Sequence, residues 1–292
     1  MIEVQPVFLD SLEQVYAMIR EQGHWVFPQR KDLFDRLMNY PWRKPEWPLG
    51  FSLLVDGNME GFIGIIFCER MIGGRCHTLG NLTTWVVNPK YRSQSLLLLS
   101  EALKVKSDAF TDFTPTANVY RLLKKSYSFF DMDSGYRLMT PLSGLSSLFS
   151  GMKYQFTFEL DSILARVDLA SQRIARDHAA CGCGVVLAYC GQEDVCMVVY
   201  QILSSRNIPY GQILHISDKN IFFKCMHGFF LRMALREKVP ILIANERLLE
   251  SERVHVGLRK TRSYNIMLRS QNLRREDVDD LYNECVLLNI RS

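Results

Sequence analysis

What this chain lacks narrows its function first. No run among its 292 residues approaches the roughly 18 uninterrupted apolar positions that a membrane-spanning helix needs. An excess of one charge is missing too: 35 Lys and Arg against 31 Asp and Glu leave +4, too little to argue for a nucleic-acid partner. Met1-Ile2-Glu3-Val4 is not a basic stretch followed by an apolar one, so no secretory signal is expected and a cytoplasmic protein is. A cysteine framework is also absent. Of Cys68, Cys76, Cys181, Cys183, Cys190, Cys196, Cys225 and Cys285, most sit inside apolar runs, which suits reduced thiols. Cys181-Gly182-Cys183 is the close pair, and a C-x-C spacing with no second such pair is not a structural zinc pattern, so no metal site is expected. What is present excludes wholesale disorder: 48% of residues are hydrophobic and 23% charged. The length fits two domains of about 150 residues each.

The first half reads as a strand at 3–8 and a helix with Leu12, Val15, Tyr16 and Ile19 on one face, capped by Asp10 or Ser11. A short helix follows at 31–38, then a loop at 40–48 holding Pro41, Pro45 and Pro48. Strands at 51–55 and 61–68 flank Asp56-Gly57-Asn58, a hairpin signal. A strand at 79–87 stops at Asn88-Pro89, and 96–103 is a strongly apolar helix core. A strand at 109–113, a helix at 117–125 and a strand at 127–130 complete the half. The Ser, Gly and Leu of 143–151 mark the domain boundary, giving domains 1–145 and 146–292.

In the second half, strand 154–159 precedes an amphipathic helix carrying Ile163, Leu164, Val167, Ala170 and Ile174. Strands 185–189, 195–203 and 212–216 follow, then a helix at 221–236 and a strand at 239–244. Strand, helix, three strands, helix, strand therefore recurs, without residue identity between the halves. The repeat is architectural.

One junction carries chemistry. Asn88-Pro89-Lys90-Tyr91-Arg92-Ser93-Gln94-Ser95 joins a strand to an apolar helix whose first amides point back into the loop. With the positive end of the helix dipole and Lys90 and Arg92 beside it, this reads as a phosphate cradle. The same pattern also reads as an ordinary strand–helix turn with a surface Arg.

Over residues 1–140 the chain resembles the GNAT superfamily of acyl-CoA-dependent acyltransferases. The resemblance rests on residues 84–99, Thr84-Trp85-Val86-Val87-Asn88-Pro89-Lys90-Tyr91-Arg92-Ser93-Gln94-Ser95 and the four leucines after it. In that family a strand ending V-x-P-x-Y-R runs into R/Q-x-x-G-x-G/A, whose amides hold the pyrophosphate of coenzyme A. Arg92, Ser95 and Leu97 stand at the matching positions, so both family glycines are replaced. Thr114 to Leu123 looks like the family's next helix, and Ser128-Phe129 stands where it ends in Gly-Phe. The resemblance implies an α/β fold (α+β): a mixed, largely antiparallel sheet flanked by helices, duplicated, with a degenerate second half. It implies acyl-CoA, acetyl-CoA foremost, as co-substrate. Val86, Val87, Arg92, Ser93, Gln94, Ser95, Leu96 and Leu97 would hold it, with no metal.

Acyl transfer from a thioester needs a deprotonated nucleophile, donors for the thioester oxygen and an acid for the leaving thiolate. The family's usual Tyr position holds Lys124, which leaves Tyr120 and Tyr127 as candidate acids. His77 titrates nearest neutrality among the strand's polar residues, which include Asn81, Thr83 and Thr84, and is the candidate base. Glu60 and Glu69 read as solvated strand ends, Asp131 and Asp133 as turn residues. Cys76 and His77 are adjacent and point to opposite strand faces, a poor dyad. The expected function is transfer of an acyl group to the amine of a small molecule. A catalytically inactive scaffold of the same fold is the alternative.

In the second half, Asp218 occupies the cradle's place. It is a good helix cap and would repel phosphate, so this half is not expected to bind coenzyme A. Arg253, Arg259, Lys260, Arg262, Arg269, Arg274 and Arg275 form a basic tail before Glu276, Asp277, Asp279 and Asp280. It reads as a solvated helix with internal charge pairing, or as a docking patch for an acidic partner. Aromatic interleaving for nucleic acid is absent beyond Tyr264.

Overall fold

Asp56 and Gly57 both take positive φ, 49° and 85°, as a two-residue hairpin turn requires. They fold strand β2 (Gly50–Val55) onto β3 (Asn58–Ile72). The computed structural model describes residues 1–22, 30–141, 143, 152–249 and 257–290. These form two compact units. The first comprises Met1–Phe130, Met267–Leu273 and Tyr282–Leu288; the second comprises Asp131–Ile266, Arg274–Leu281 and Asn289–Ser292. Most of the stretch expected to separate domains, 143–151, lies outside the described residues.

In the first unit β1 (Ile2–Val7) pairs with β2, β2 with β3, and β3 with β4 (Arg75–Val87), all antiparallel. β5 (Ala109–Asp112) is parallel to β4, and residues 267–270 of β12 (Leu258–Ser270) run antiparallel to β5. Helices α1 (Leu12–Glu21), α2 (Lys31–Met38), α3 (Ser95–Ala102) and α4 (Ala117–Ser126) belong to the same unit. Leu53, Ile63, Ile65, Phe67, Leu98, Leu99 and Leu123 close one core between sheet and helices. Each such side chain contributes about 1.5–3 kcal/mol on leaving water.

The second unit repeats that order. β7 (Gln155–Thr157), β8 (Gly184–Cys190), β9 (Asp194–Ser205) and β10 (Ile208–Ile216) pair successively antiparallel. β11 (Leu242–Asn245) is parallel to β10, and β6 (Phe130–Met139) is antiparallel to β11. Its helices are α5 (Leu160–Leu164), α6 (Leu169–Ala180), α7 (Lys219–Glu237) and α8 (Glu246–Leu249). Phe222, Phe229 and Phe230 of α7 pack edge-on or tilted at 5.5–6.3 Å in its core. The sixth strand of each unit comes from the other half of the sequence, which no local pattern announces.

Several expectations change here. The single helix over 163–174 is two helices, because Asp168 caps α6 by accepting from the Ser171 amide at 2.8 Å. Ser11 holds the N-cap position of α1, yet neither it nor Asp10 caps through its side chain. Asp131 and Asp133 lie inside β6, not in a turn, and Asp133 is buried. Over residues 258–270 the basic tail is strand β12 and not a helix.

Candidate functional site

Strand β4 is the element on which the site is built. It pairs with β5 only at Leu79, Gly80 and Asn81, opposite Ala109, Phe110 and Thr111. β4 then continues for six residues with no ladder partner on that side among the described residues. Against β3 it carries a bulge between the Phe62–Val86 and Gly64–Thr83 pairs, where Thr84 sits at φ 47°. A Cβ on Gly64 would meet Thr83 Cγ2 at 2.9 Å, so the bulge needs a glycine beneath it. The strands therefore part, and Thr83–Val87 presents a bulged edge to the opening. Val86 is buried and Val87 half-buried. The indole Nε1 of Trp85 is buried with no hydrogen-bond acceptor among the described residues.

The opening leads into the cradle segment. Asn88 accepts from the Lys90 amide through Oδ1 at 3.0 Å and from the Tyr91 amide through its carbonyl at 2.8 Å. Pro89–Gln94 winds as a 3-10 helix, and the Ser95 amide donates to the Arg92 carbonyl as α3 begins. The Lys90, Tyr91 and Ser95 amides are thus engaged internally. Arg92 and Ser93 are exposed, Gln94 and Ser95 half-buried, and Leu96 and Leu97 are 43% and 44% exposed. Among the described residues Arg92 has no ion-pair partner.

The structure separates the other sequence candidates. The Tyr120 hydroxyl accepts from Lys124 Nζ at 2.9 Å, so its proton is not spent in that bond. Tyr127, half-buried, follows α4 and packs on the first core. Ser128, in place of the family's glycine, has φ 58°. His77 lies four residues before Asn81, about 13 Å along the strand. Its Nδ1 is 3.6 Å from Asp108, on the paired side of the strand parting.

A group that sequence reasoning missed sits where the strands part. Glu284, on α9 (Glu284–Leu288), accepts from Thr114 Oγ1 at 2.8 Å and from the Asn81 side-chain amide. Asn81 also accepts from Thr111 Oγ1 at 3.0 Å, and Asp112 accepts from the Thr114 amide at 3.1 Å. Asp112 and Glu284 are buried, and burial pushes both carboxyls above the ordinary range. For Asp112 the neighbouring Glu284 charge adds to that rise. The available signal was a carboxylate inside an apolar run: Ala109-Phe110-Thr111-Asp112-Phe113 and Glu284-Cys285-Val286-Leu287.

The second unit has the same strand parting with a different content. β10 pairs with β11 only at residues 211–213 and is bulged between Ile213 and His215. The unit's own segment 278–280 bridges the gap. The Asp280 amide donates to the Leu214 carbonyl at 3.1 Å, and His215 Nδ1 lies 2.8 Å from Asp279. Asn245 donates to Asp280 at 2.6 Å, and Arg247 Nε donates to the Val278 carbonyl at 2.8 Å. Arg247 also ion-pairs with Asp133 and Asp280. Asp218 caps α7, accepting from the Ile221 amide at 2.9 Å. Within the basic tail, Arg259 pairs with Glu246 at 2.9 Å, Arg274 with Asp277 at 3.5 Å and Arg275 with Glu276 at 2.6 Å.

No helix of the described residues is long and apolar enough to cross a membrane, and they hold no metal-ligating cluster. No protein-family model and no curated protein matches the sequence. Solved structures do. A GCN5-related N-acetyltransferase from Kribbella flavida superposes with TM-score 0.58 at 14% identity, over 92% of this chain and 72% of that one. One from Anabaena variabilis ATCC 29413 gives 0.55 at 10% identity, over 92% and 72%. Eis1 from Mycobacterium abscessus gives 0.50 at 12%, over 92% and 73%. At such identities the likeness concerns architecture, and the parted β4–β5 pair agrees with it: the chain has the fold of the GCN5-related N-acetyltransferases.

Proposed function

We propose that this protein moves an acyl group from coenzyme A to the amine of a small-molecule acceptor, with the donor seated between β4 and β5 of the first unit. The observation that carries this reading is the parting of those strands after Asn81 and Thr111, leading straight to the Arg92 segment. An extended amide chain such as pantetheine suits a strand edge that lacks a neighbour. The buried Trp85 Nε1 also lacks an acceptor that a ligand can supply. With the Lys90, Tyr91 and Ser95 amides engaged, Arg92 carries most of the hold on the phosphates, helped by the backbone of Leu96 and Leu97 at the start of α3. Backbone amides of Trp85–Val87 are the donors for the thioester oxygen. Tyr120 or Tyr127 supplies the proton for the departing sulfur.

A second reading, a binding scaffold without catalysis, is favoured by one feature. Leu96 and Leu97 are exposed where the family has its second glycine and its neighbour. Thiol release from acetyl-CoA, measured across a panel of primary amines, decides between the two. Amine-dependent release supports the transferase. Donor binding without release for any amine supports the scaffold.

A further inference from the structure

The outer edge of the second unit carries arginines for which acyl transfer has no use. β7 ends its side of the sheet, with β8 as its one ladder partner among the described residues. Side chains of such a strand alternate between two faces. On one face the Arg232 guanidinium lies 4.3 Å from the centre of the Phe156 ring, and that of Arg236 4.4 Å from the Phe158 ring. On the other, Gln155 sits across from Tyr189 of β8, whose ring carries the Arg166 guanidinium at 4.2 Å. Lys153, Gln155, Arg166 and Tyr189 line an open hollow of about 440 Å³ there.

The stacking is built into the fold. Gly228 interrupts the interior of α7, where glycine weakens a helix. A Cβ there would meet the Phe156 ring at 3.0 Å and Arg232 Nη1 at 3.2 Å. Arg232 Nη1 also donates to the Gly228 carbonyl at 3.2 Å. The guanidinium planes are therefore held, while Arg166 and Arg232 have no carboxylate partner among the described residues. Arg236 has Glu237 at 3.3 Å, a carboxylate that also accepts from the Tyr200 hydroxyl at 2.7 Å. Lys153 has Asp194 at 3.3 Å. Residues one helical turn apart, as Arg232 and Arg236 are, stand about 6 Å apart. Alternate side chains of an extended chain stand about 6.7 Å apart, so the two spacings match. Cations beside a sheet edge deter most strands from pairing there, and they favour one that brings carboxylates.

We propose that β7 is the docking edge for an acidic partner, which adds an extended segment to the sheet as a further strand. Acidic side chains at alternate positions of that segment meet Arg232 and Arg236, and one between them meets Arg166. Main-chain bonds to β7 supply affinity, and the arginine–carboxylate pairs select the partner.

The test titrates the full chain with a labelled peptide of alternating glutamate and valine, followed by fluorescence anisotropy. A lysine–valine counterpart and a glutamate–valine peptide N-methylated at alternate residues are the controls, and neither should bind. The glutamate peptide is expected to bind. The double variant Arg232→Gln, Arg236→Gln should weaken it by about 5-fold or more at low salt. Both side chains are exposed, so the variant should melt as wild type does. If it does not fold, the two control peptides on the wild-type chain decide. Binding of either control as tight as that of the glutamate peptide overturns the proposal, and so does unchanged affinity in a folded double variant. No binding of the glutamate peptide overturns it too; sedimentation of the chain with phosphatidylserine vesicles would then make these arginines a lipid contact.

Discussion

The backbone amide of Asp280 donates to the carbonyl of Leu214 at 3.1 Å, inside the gap where β10 and β11 of the second unit part. A strand edge that would otherwise be open to a ligand is thereby satisfied by the unit's own chain. The first expected outcome is one coenzyme A per chain in calorimetric titration. Two equivalents would show that segment 278–280 gives way to ligand.

Arg247 is 1% exposed and joins Asp133 and Asp280. Burial pushes Asp133 up to about 6, and the guanidinium opposes that rise. Arg247→Met leaves two buried carboxyls without their cation and should cost about 3–5 kcal/mol in urea unfolding at neutral pH. A loss below about 1 kcal/mol would mean that the site admits water and the ion group is not a lock.

Asp112 supplies a pH test with a definite sign. Its folded carboxyl lies well above the ordinary range because burial disfavours the charge and Glu284 repels it. The folded chain keeps a proton there that the unfolded chain releases above about pH 4, so this position weakens the fold as pH rises. Asp112→Asn should therefore melt above wild type at about pH 8, the two curves converging near pH 4. A wild-type advantage at about pH 8 would contradict the account.

Much of this molecule was legible in its residues. Asp56-Gly57 declared its hairpin, and Asn88-Pro89 the end of β4 (Arg75–Val87). The recurrence of element order declared the duplication. What escaped was long-range. β6 and β12 read as a strand start with turn residues and as a charged tail, because their partners lie far off in sequence: Tyr136 faces Asn245, and Met267 faces Asp112. Glu284 escaped for the same reason, since its contacts with Asn81 and Thr114 span 203 and 170 residues. His77 stood out because histidine is the residue type suited to acid–base work near neutral pH, which says nothing about its place. The structure sets it beside Asp108, away from the opening.

Arg92 bears on the donor directly. A charge-assisted bond to phosphate is worth about 1.5–3 kcal/mol, so Arg92→Ala should raise the Kd for coenzyme A by roughly 10- to 150-fold. The variant should melt as wild type does without ligand, because Arg92 is exposed and has no ion pair among the described residues. Unchanged affinity would remove the phosphate cradle from the account.

The most direct measurement is thermal unfolding of the full chain with and without excess coenzyme A and acetyl-CoA. At a free ligand concentration about 100 times Kd, linkage gives about 2.7 kcal/mol of stabilisation. The account predicts an upward shift of several degrees, cut to about half or less in Arg92→Ala at the same ligand concentration. No shift of the wild-type chain with either ligand would contradict the claim that the parted strands β4 and β5 seat coenzyme A.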